Sequence, residues 1–256
     1  MIKEESRFES SNVMEGMISF RAVIAGIENG ISDRRIERVL CDRERAKKHA
    51  GELSYIKAMS YKHGFTVESV GPGEIDRMSV GSSHGGILTV CTGRTLPVLT
   101  GEDITDGGFY MMLDGVEDPY NFGYALRSLY AAGVDGVVLS PRNWMSAAGV
   151  VCRASAGASE QLRLYVCEPS EAADIFKSRG YRVICSDTRD SEPMWSAKLT
   201  RPLFAVVGGE RRGISGELMK KADAVVRIEY GRDFPAALSA ASAASVLAFE
   251  ILRQNR

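Results

Sequence analysis

From Asn12 to Gly30 apolar residues return every three or four positions, at Met14, Met17, Phe20, Ile24 and Ile27, which predicts a helix. Asn12 and Glu15 have capping-box spacing at its start, and Gly30 is a stop signal. A short apolar run at Ile36 to Cys41 leads into a charged helical stretch from Arg43 to His63. A strand at Thr66 to Val70, a small helix around Glu74 to Met78 and a strand at Gly86 to Cys91 complete a compact α/β unit. Gly93 to Gly108 is rich in Gly, Thr, Pro and Asp without an apolar period and reads as a linker.

Beyond the linker, strands and helices alternate. Strands are predicted at Phe109 to Leu113, Val134 to Leu139, Leu162 to Val166, Arg182 to Cys185, Leu203 to Val207 and Ala224 to Ile228. Helices are predicted at Gly123 to Ala132, Ser170 to Ser178, a short one from Ser215, and a closing one from about Pro235 to Arg253. Strands with few charges separated by helices imply a parallel sheet covered on both faces. The expected organisation is a first domain with its linker over residues 1–103 and a second over 104–256.

Composition narrows the classes. At 45% hydrophobic and 25% charged residues the chain is ordinary globular material, and its formal net charge of -1 gives no global attraction to nucleic acid. An RNA surface would have to be a local patch, for which Arg34 to Lys48 offers Arg34, Arg35, Arg38, Arg43, Arg45, Lys47 and Lys48; a solvated helix face is the plainer alternative. Apolar runs fall short of the roughly 20 residues that span a bilayer, and the first residues lack a signal-peptide pattern, so the cytoplasm is expected and no membrane. The 5 cysteines are scattered without a C-x-x-C pair, which argues against a zinc site or a disulfide framework; no metal is expected. His49, His63 and His84 all precede the second domain, so a Ser-His-Asp or Cys-His centre within it is excluded.

Ligands of open parallel sheets bind beyond the carboxyl ends of the strands, and three places there stand out. The first is Leu113 to Ser128, where a strand ends in a polar turn and a helix begins near Asn121, with Asn121 able to cap it and Arg127 further along. The second is Phe204 to Ser215, a strand running into the turn Gly208-Gly209-Glu210, whose backbone amides can cradle a ligand. It nearly imitates a dinucleotide fingerprint with Glu229 as the ribose acid, although the spacing is G-G-x-x-x-G. The third is Ile228 to Gly231 followed by the alanine- and serine-rich Ala236 to Glu250, a helix of small residues suited to close packing.

Taken in order, these places resemble the three motifs of the SpoU/TrmH branch of the SPOUT methyltransferases. The first family motif, D-x-x-x-D-P-x-N-x-G-x-x-x-R-[ST], is matched by Asp114, Asp118, Pro119, Asn121, Gly123, Arg127 and Ser128. The second, G-x-E-x-x-G-[ILM], is matched by Gly208, Glu210, Gly213 and Ile214, and Ser155-Ala-Gly-Ala158 resembles a further family segment. The third departs from the pattern: the family's I-P-M corresponds to Ile228-Glu229-Tyr230, and its S-L-N to Ala237-Leu238-Ser239. Residues 12 to 92, with Ser83-His-Gly-Gly-Ile87, are similar to the ribosomal-protein-like substrate domain that often precedes this catalytic domain.

The resemblance implies a SPOUT α/β domain with a trefoil knot, a small α/β RNA-binding domain before it, and a homodimer whose site is completed by the second subunit. It implies 2'-O-ribose methylation of rRNA or tRNA with S-adenosyl-L-methionine as donor. Arg127, Asn121, Glu210 and Ser239 would be catalytic, and Ser186, Val207, Gly208, Gly209, Ile228, Tyr230 and Leu238 would hold the cofactor. Two alternatives stand beside this: a methyltransferase-like RNA-binding protein with weak or lost catalysis, and a dinucleotide enzyme.

Overall fold

Two sheets of different kinds organise the chain, and a computed structural model describes residues 12–45, 49–82, 84–141, 147–209 and 212–256. The chain divides into one unit of Met1–Thr95 with Asn143–Gln161 and another of Leu96–Arg142 with Leu162–Arg256. Residues 147–161, which by sequence order fall inside the second expected domain, therefore belong to the first unit.

In the first unit β1 (Val13–Glu15), β2 (Ile36–Asp42), β3 (Thr66–Val70) and β4 (Ile87–Cys91) form a sheet of order β1-β4-β2-β3. The first helix, α1, covers Gly16–Glu28, not Asn12 to Gly30, because the residues before it pair antiparallel with β4. Asn12 does not cap; its Oδ1 accepts from Arg34 Nη1 at 3.3 Å. Glu15 accepts from the backbone of Val80 and Gly81 and pairs with Arg153 at 2.7 Å. The charged helix, α2, is confined to Ala50–His63, since Arg43 donates its N–H to the Val70 carbonyl and Glu44 closes an Asx turn on Asp42. A short helix, α3, spans Pro72–Met78.

Two helices that periodicity missed, α5 (Ala148–Ala154) and α6 (Ala158–Gln161), pack on α1. Between them the Ser155-Ala-Gly-Ala158 segment turns through positive φ at Ala156 and Gly157, and a Cβ on Gly157 would lie 2.3 Å from that of Ala22. This motif is thus a close-packing device. Beside it Glu160 receives Arg34 Nε at 2.8 Å, and the two side chains are 3% and 1% exposed. Arg34 also donates to the Thr92 carbonyl, so it belongs to the interior and not to a basic surface. Lys47, Lys48 and Ser83 lie outside the described residues. His84 is buried, its Nδ1 accepting from the Gly86 N–H at 3.1 Å and its Nε2 3.2 Å from Asp76.

The second unit carries a parallel sheet of order β7-β6-β5-β10-β8-β11-β9. Its strands are β5 (Phe109–Asp114), β6 (Gly136–Leu139), β7 (Leu164–Val166), β8 (Arg182–Ser186), β9 (Glu192–Pro193), β10 (Leu203–Gly208) and β11 (Ala224–Arg227). Its helices are α4 (Pro119–Ala131), α7 (Pro169–Ser178), α8 (Gly216–Met219) and α9 (Ala240–Gln254). One core face joins Tyr110, Met112, Phe176, Tyr181, Phe204 and Val206, with the Phe176 and Phe204 rings stacked at 4.0 Å. On the alternate residues Phe109, Met111 and Leu113 are also fully buried, as a strand covered on both faces requires.

From Leu96 on, the stretch read as a linker is built into this unit. Leu99 and Ile104 are buried in its core, Val98 bridges to Val166, and the Tyr110 and Tyr181 hydroxyls bond the backbone around Asp103 to Gly108. The apolar cluster Leu96, Val98 and Leu99 is interrupted by Pro97 and too short to carry a period, which is why the pattern missed it. The closing helix starts at Ala240, not Pro235, and the other boundaries differ by a few residues. All five cysteines are buried free thiols, and loss of solvation raises Cys91, Cys152 and Cys185 to about 12.

The buried Arg34–Glu160 pair makes a stability prediction. Arg34→Ala leaves a carboxylate unpaired in the interior and should destabilise the first unit by about 3–5 kcal/mol. The double change Arg34→Met with Glu160→Leu should lose less than either single one. Urea unfolding followed by hydrogen exchange checks this, and wild-type protection in Arg34→Ala would refute it.

Candidate cofactor and active site

The ends of β5 and β10, paired in register from Leu203↔Phe109 to Gly208↔Asp114, approach with no side chain between them. A Cβ on Gly209 would stand 2.2 Å from the Gly115 oxygen, and one on Gly208 would stand 2.5 Å from the Gly213 carbonyl carbon. Gly209 donates its N–H to the Asp114 carbonyl, and Gly213, at φ +62, donates to the Gly209 carbonyl at 2.9 Å. The second motif is therefore a loop folded tightly on itself and on the first. Glu210, its acidic member, lies outside the described residues.

Beyond β8, β10 and β11 opens a cleft of about 230 Å³, lined by Ser186, Val207, Gly208, Gly209, Ile228, Tyr230 and Leu238. All seven positions implied by resemblance as cofactor-holding thus meet at one cleft, drawn from four separate stretches of chain. The lining also includes Gly213 and Ala237 of the second and third motifs, together with Asp187, Thr188, Arg227, Ala240 and Ala243, which sequence reasoning did not single out. Their signal was available for Asp187, which directly follows a strand. For Ala240 and Ala243 only the fold brings a helix start to the strand ends. The Tyr230 hydroxyl accepts from the Leu238 N–H at 3.0 Å and so ties the two arms of the third motif together.

The dinucleotide reading fails on topology. Its ribose acid, Glu229, should end a strand adjacent to β10, but β8 stands between β10 and β11, and Glu229 lies 3.2 Å from Arg227 outside the cleft lining.

Of the residues implied as catalytic, the described ones, Asn121, Arg127 and Ser239, are not in the lining of this cleft. Asn121 does not cap α4: Asp118 does, its Oδ1 accepting from the Asn121 N–H at 2.8 Å, and Pro119 occupies the first turn. Arg127 is exposed on α4 and, among the described residues, makes no side-chain hydrogen bond or ion pair. Ser239 caps α9, accepting from the Ser242 N–H at 3.2 Å while the two hydroxyls lie 3.0 Å apart, and its chain neighbours Leu238 and Ala240 line the cleft. A second cavity of about 540 Å³ lies across Gly213, which it shares with the cleft, and is lined by Asp114, Gly115, Glu117, Glu168, Arg212, Ser215 and Glu217 among others.

Gly209→Ala should force the two loops apart, lower the thermal midpoint by several degrees and weaken any ligand of the cleft. A change on the order of 2 kcal/mol is expected for a blocked close approach. An unaltered melting curve would show that the loops have room to part.

The sequence profile of the SpoU rRNA Methylase family matches residues 108–249. The chain is 26% identical over 236 residues, 90% of its length and 93% of the relative's, to YacO of Bacillus subtilis (strain 168), which is assigned to the TrmH family of tRNA/rRNA methyltransferases. It resembles the crystal structure of an RNA 2'-O ribose methyltransferase at a TM-score of 0.75 and 23% identity, covering 99% of this chain and 95% of that one. It also resembles the SpoU methyltransferase AviRb from Streptomyces viridochromogenes in complex with AdoMet, at a TM-score of 0.75 and 18% identity, covering 99% of each. The structural likenesses establish a shared fold, and the profile match extends over the three motif regions: the chain belongs to the SpoU rRNA Methylase family.

Proposed function

We propose that the protein is an S-adenosylmethionine-dependent 2'-O-ribose methyltransferase acting on rRNA or tRNA, as a cytoplasmic homodimer. The observation that carries this reading is the convergence of Ser186, Val207 to Gly209, Ile228, Tyr230 and Leu238 on one cleft beyond the strand ends. The glycine, alanine, valine, isoleucine and leucine residues of the lining suit the face of an adenine. S-adenosylmethionine supplies the activated methyl group. Of the similar proteins named above, one is assigned to the tRNA/rRNA methyltransferases, one is an RNA 2'-O ribose methyltransferase and one holds AdoMet, which supports the same reading.

In this reading the protein aligns acceptor and donor and favours loss of the hydroxyl proton. Arg127 grips an RNA phosphate and stabilises the developing alkoxide, with Asn121 and Glu210 orienting it. The cavity that shares Gly213 with the cleft receives the acceptor nucleoside, its carboxylates disfavouring phosphate there. Arg127 lies outside both linings, and the homodimer accounts for this: Arg127 of the partner subunit completes the site. Tyr120, Tyr124 and Arg127 share one exposed stripe of α4, and Phe249 is exposed on α9, which packs beside it. A dimer would cover these aromatics. The trefoil knot belongs to the same reading, supported by α9, which follows β11 yet packs back against α4 and β10.

The first unit forms the RNA-binding part in this proposal; among the described residues of the Arg34 to Lys48 run, Arg35, Arg38, Arg43 and Arg45 are exposed, and Arg38 and Arg45 face Glu68 and Asp42. Buried reduced thiols suit the cytoplasm.

Single-turnover transfer of labelled methyl to the cell's ribosomal and transfer RNA tests the activity, with resistance of the modified linkage to alkali identifying the 2'-oxygen. Arg127→Lys should lose roughly 100-fold or more in rate with cofactor affinity unchanged, because a point charge does not replace the planar fork. RNA binding without turnover in the wild type would favour the RNA-binding protein that has lost catalysis.

Arg35→Glu with Arg43→Glu should weaken RNA binding and lower the salt slope by about 0.7–0.9 for each phosphate no longer neutralised. An unchanged slope in filter binding would make this patch a solvated face.

A further inference from the structure

Among the described residues lining the cofactor cleft, Asp187 brings the carboxyl side chain and Arg227 the guanidinium. Arg227 is committed: its Nη1 donates to the Ser191 carbonyl and its Nη2 lies 3.2 Å from Glu229 Oε1. Asp187 is held differently. Its N–H donates to the Val226 carbonyl at 3.1 Å, and its Oδ1 accepts from the Arg189 N–H at 2.9 Å. The backbone is thereby pinned on both sides, while Oδ2 takes no hydrogen bond from the described residues. A half-buried carboxylate one residue past the end of β8, on a residue that lines the cleft, thus keeps an acceptor oxygen without a partner among the described residues.

We propose that Asp187 grips the ribose of the cofactor, its carboxylate accepting from the 2'- and 3'-hydroxyls. This rests on the reading of the cleft as the S-adenosylmethionine site.

Two other partners for the carboxylate fit the cleft less well. The methionine end is a zwitterion, and placing it here would set its carboxylate beside Asp187, with the Arg227 guanidinium already engaged. The sulfonium would be held too well: a carboxylate against it stabilises a charge that methyl transfer removes, which slows the reaction. The ribose diol brings two neutral donors. A carboxylate has about four acceptor sites, so Oδ1 can keep the Arg189 bond while still taking a hydroxyl. An acid beyond the carboxyl end of a parallel strand is also where open α/β sheets receive a ribose diol.

Isothermal titration of the full chain with three ligands tests the assignment: S-adenosylhomocysteine, 5'-methylthioadenosine, which lacks the amino acid, and the 2'-deoxy form of the latter. Wild type should favour the ribo over the deoxy ligand by about tenfold or more. Asp187→Asn should weaken S-adenosylhomocysteine and 5'-methylthioadenosine alike by a similar factor and no longer separate ribo from deoxy. Asparagine retains the oxygen that accepts from Arg189, and an unchanged melting temperature verifies that the loop is intact. Weakening of S-adenosylhomocysteine alone would give Asp187 to the ammonium and overturn the proposal, as would full ribo-deoxy discrimination in the variant. A wild-type protein that binds none of the three would instead overturn the cofactor reading, and this assignment with it.

Discussion

The second unit depends on a close approach between backbones. Where β5 and β10 end, Gly209 lies against Gly115, and Gly208 lies against Gly213 and Ile214, at separations that leave no space for a Cβ. This approach brings the Gly209 N–H onto the Asp114 carbonyl, so each loop satisfies a polar group of the other. With the loops so joined, the strand ends beyond them present backbone to a cleft, and Gly213 becomes a shared wall between the cleft and the larger cavity beside it. Any side chain at Gly208 or Gly209 would separate the loops that form both.

The first unit relies on a different solution to the same packing problem. Its sheet is small, and the chain adds α5 and α6 from far along the sequence to cover α1. Glycine again permits the approach, at Gly157 against Ala22 and at Gly26 against the Glu160 carbonyl. Charge closes it, through Arg34 and Glu160, 126 positions apart. Arg94 adds donors to the Ser159 and Ile31 carbonyls, and its burial pulls the guanidinium below its ordinary range. Arg34, which a linear reading places in a basic surface, is here an interior hydrogen-bond donor.

Asp187 and Tyr230 shape the cleft in different ways. The Tyr230 hydroxyl fixes the spacing between Ile228 to Tyr230 and Leu238, while Asp187 supplies an open acceptor on the neighbouring strand end. Where the third motif departs from its family pattern, Ser239 serves as helix cap with Ser242 beside it, so the helix start that lines the cleft is held by the same residue.

Periodicity and motif spacing by themselves determined most of the strands and helices after Phe109, though not α5, α6 or β9, together with the parallel sheet and the three strand-end loops, since apolar runs and glycine turns are local signals. They could not determine what depends on distant partners. The capping box at Asn12 lost to strand pairing with β4, and the cap at Asn121 to Asp118. Leu99 and Ile104 became core only because the second sheet has a surface to receive them. Strand order, the membership of α5 and α6 in the first unit, the burial of Arg34 and the gathering of Asp187, Arg227, Ala240 and Ala243 at one cleft were decided by tertiary structure alone. A hydrophobic or turn signal is written within a few residues, whereas an ion pair or a shared cleft joins residues whose proximity exists only after the chain has folded.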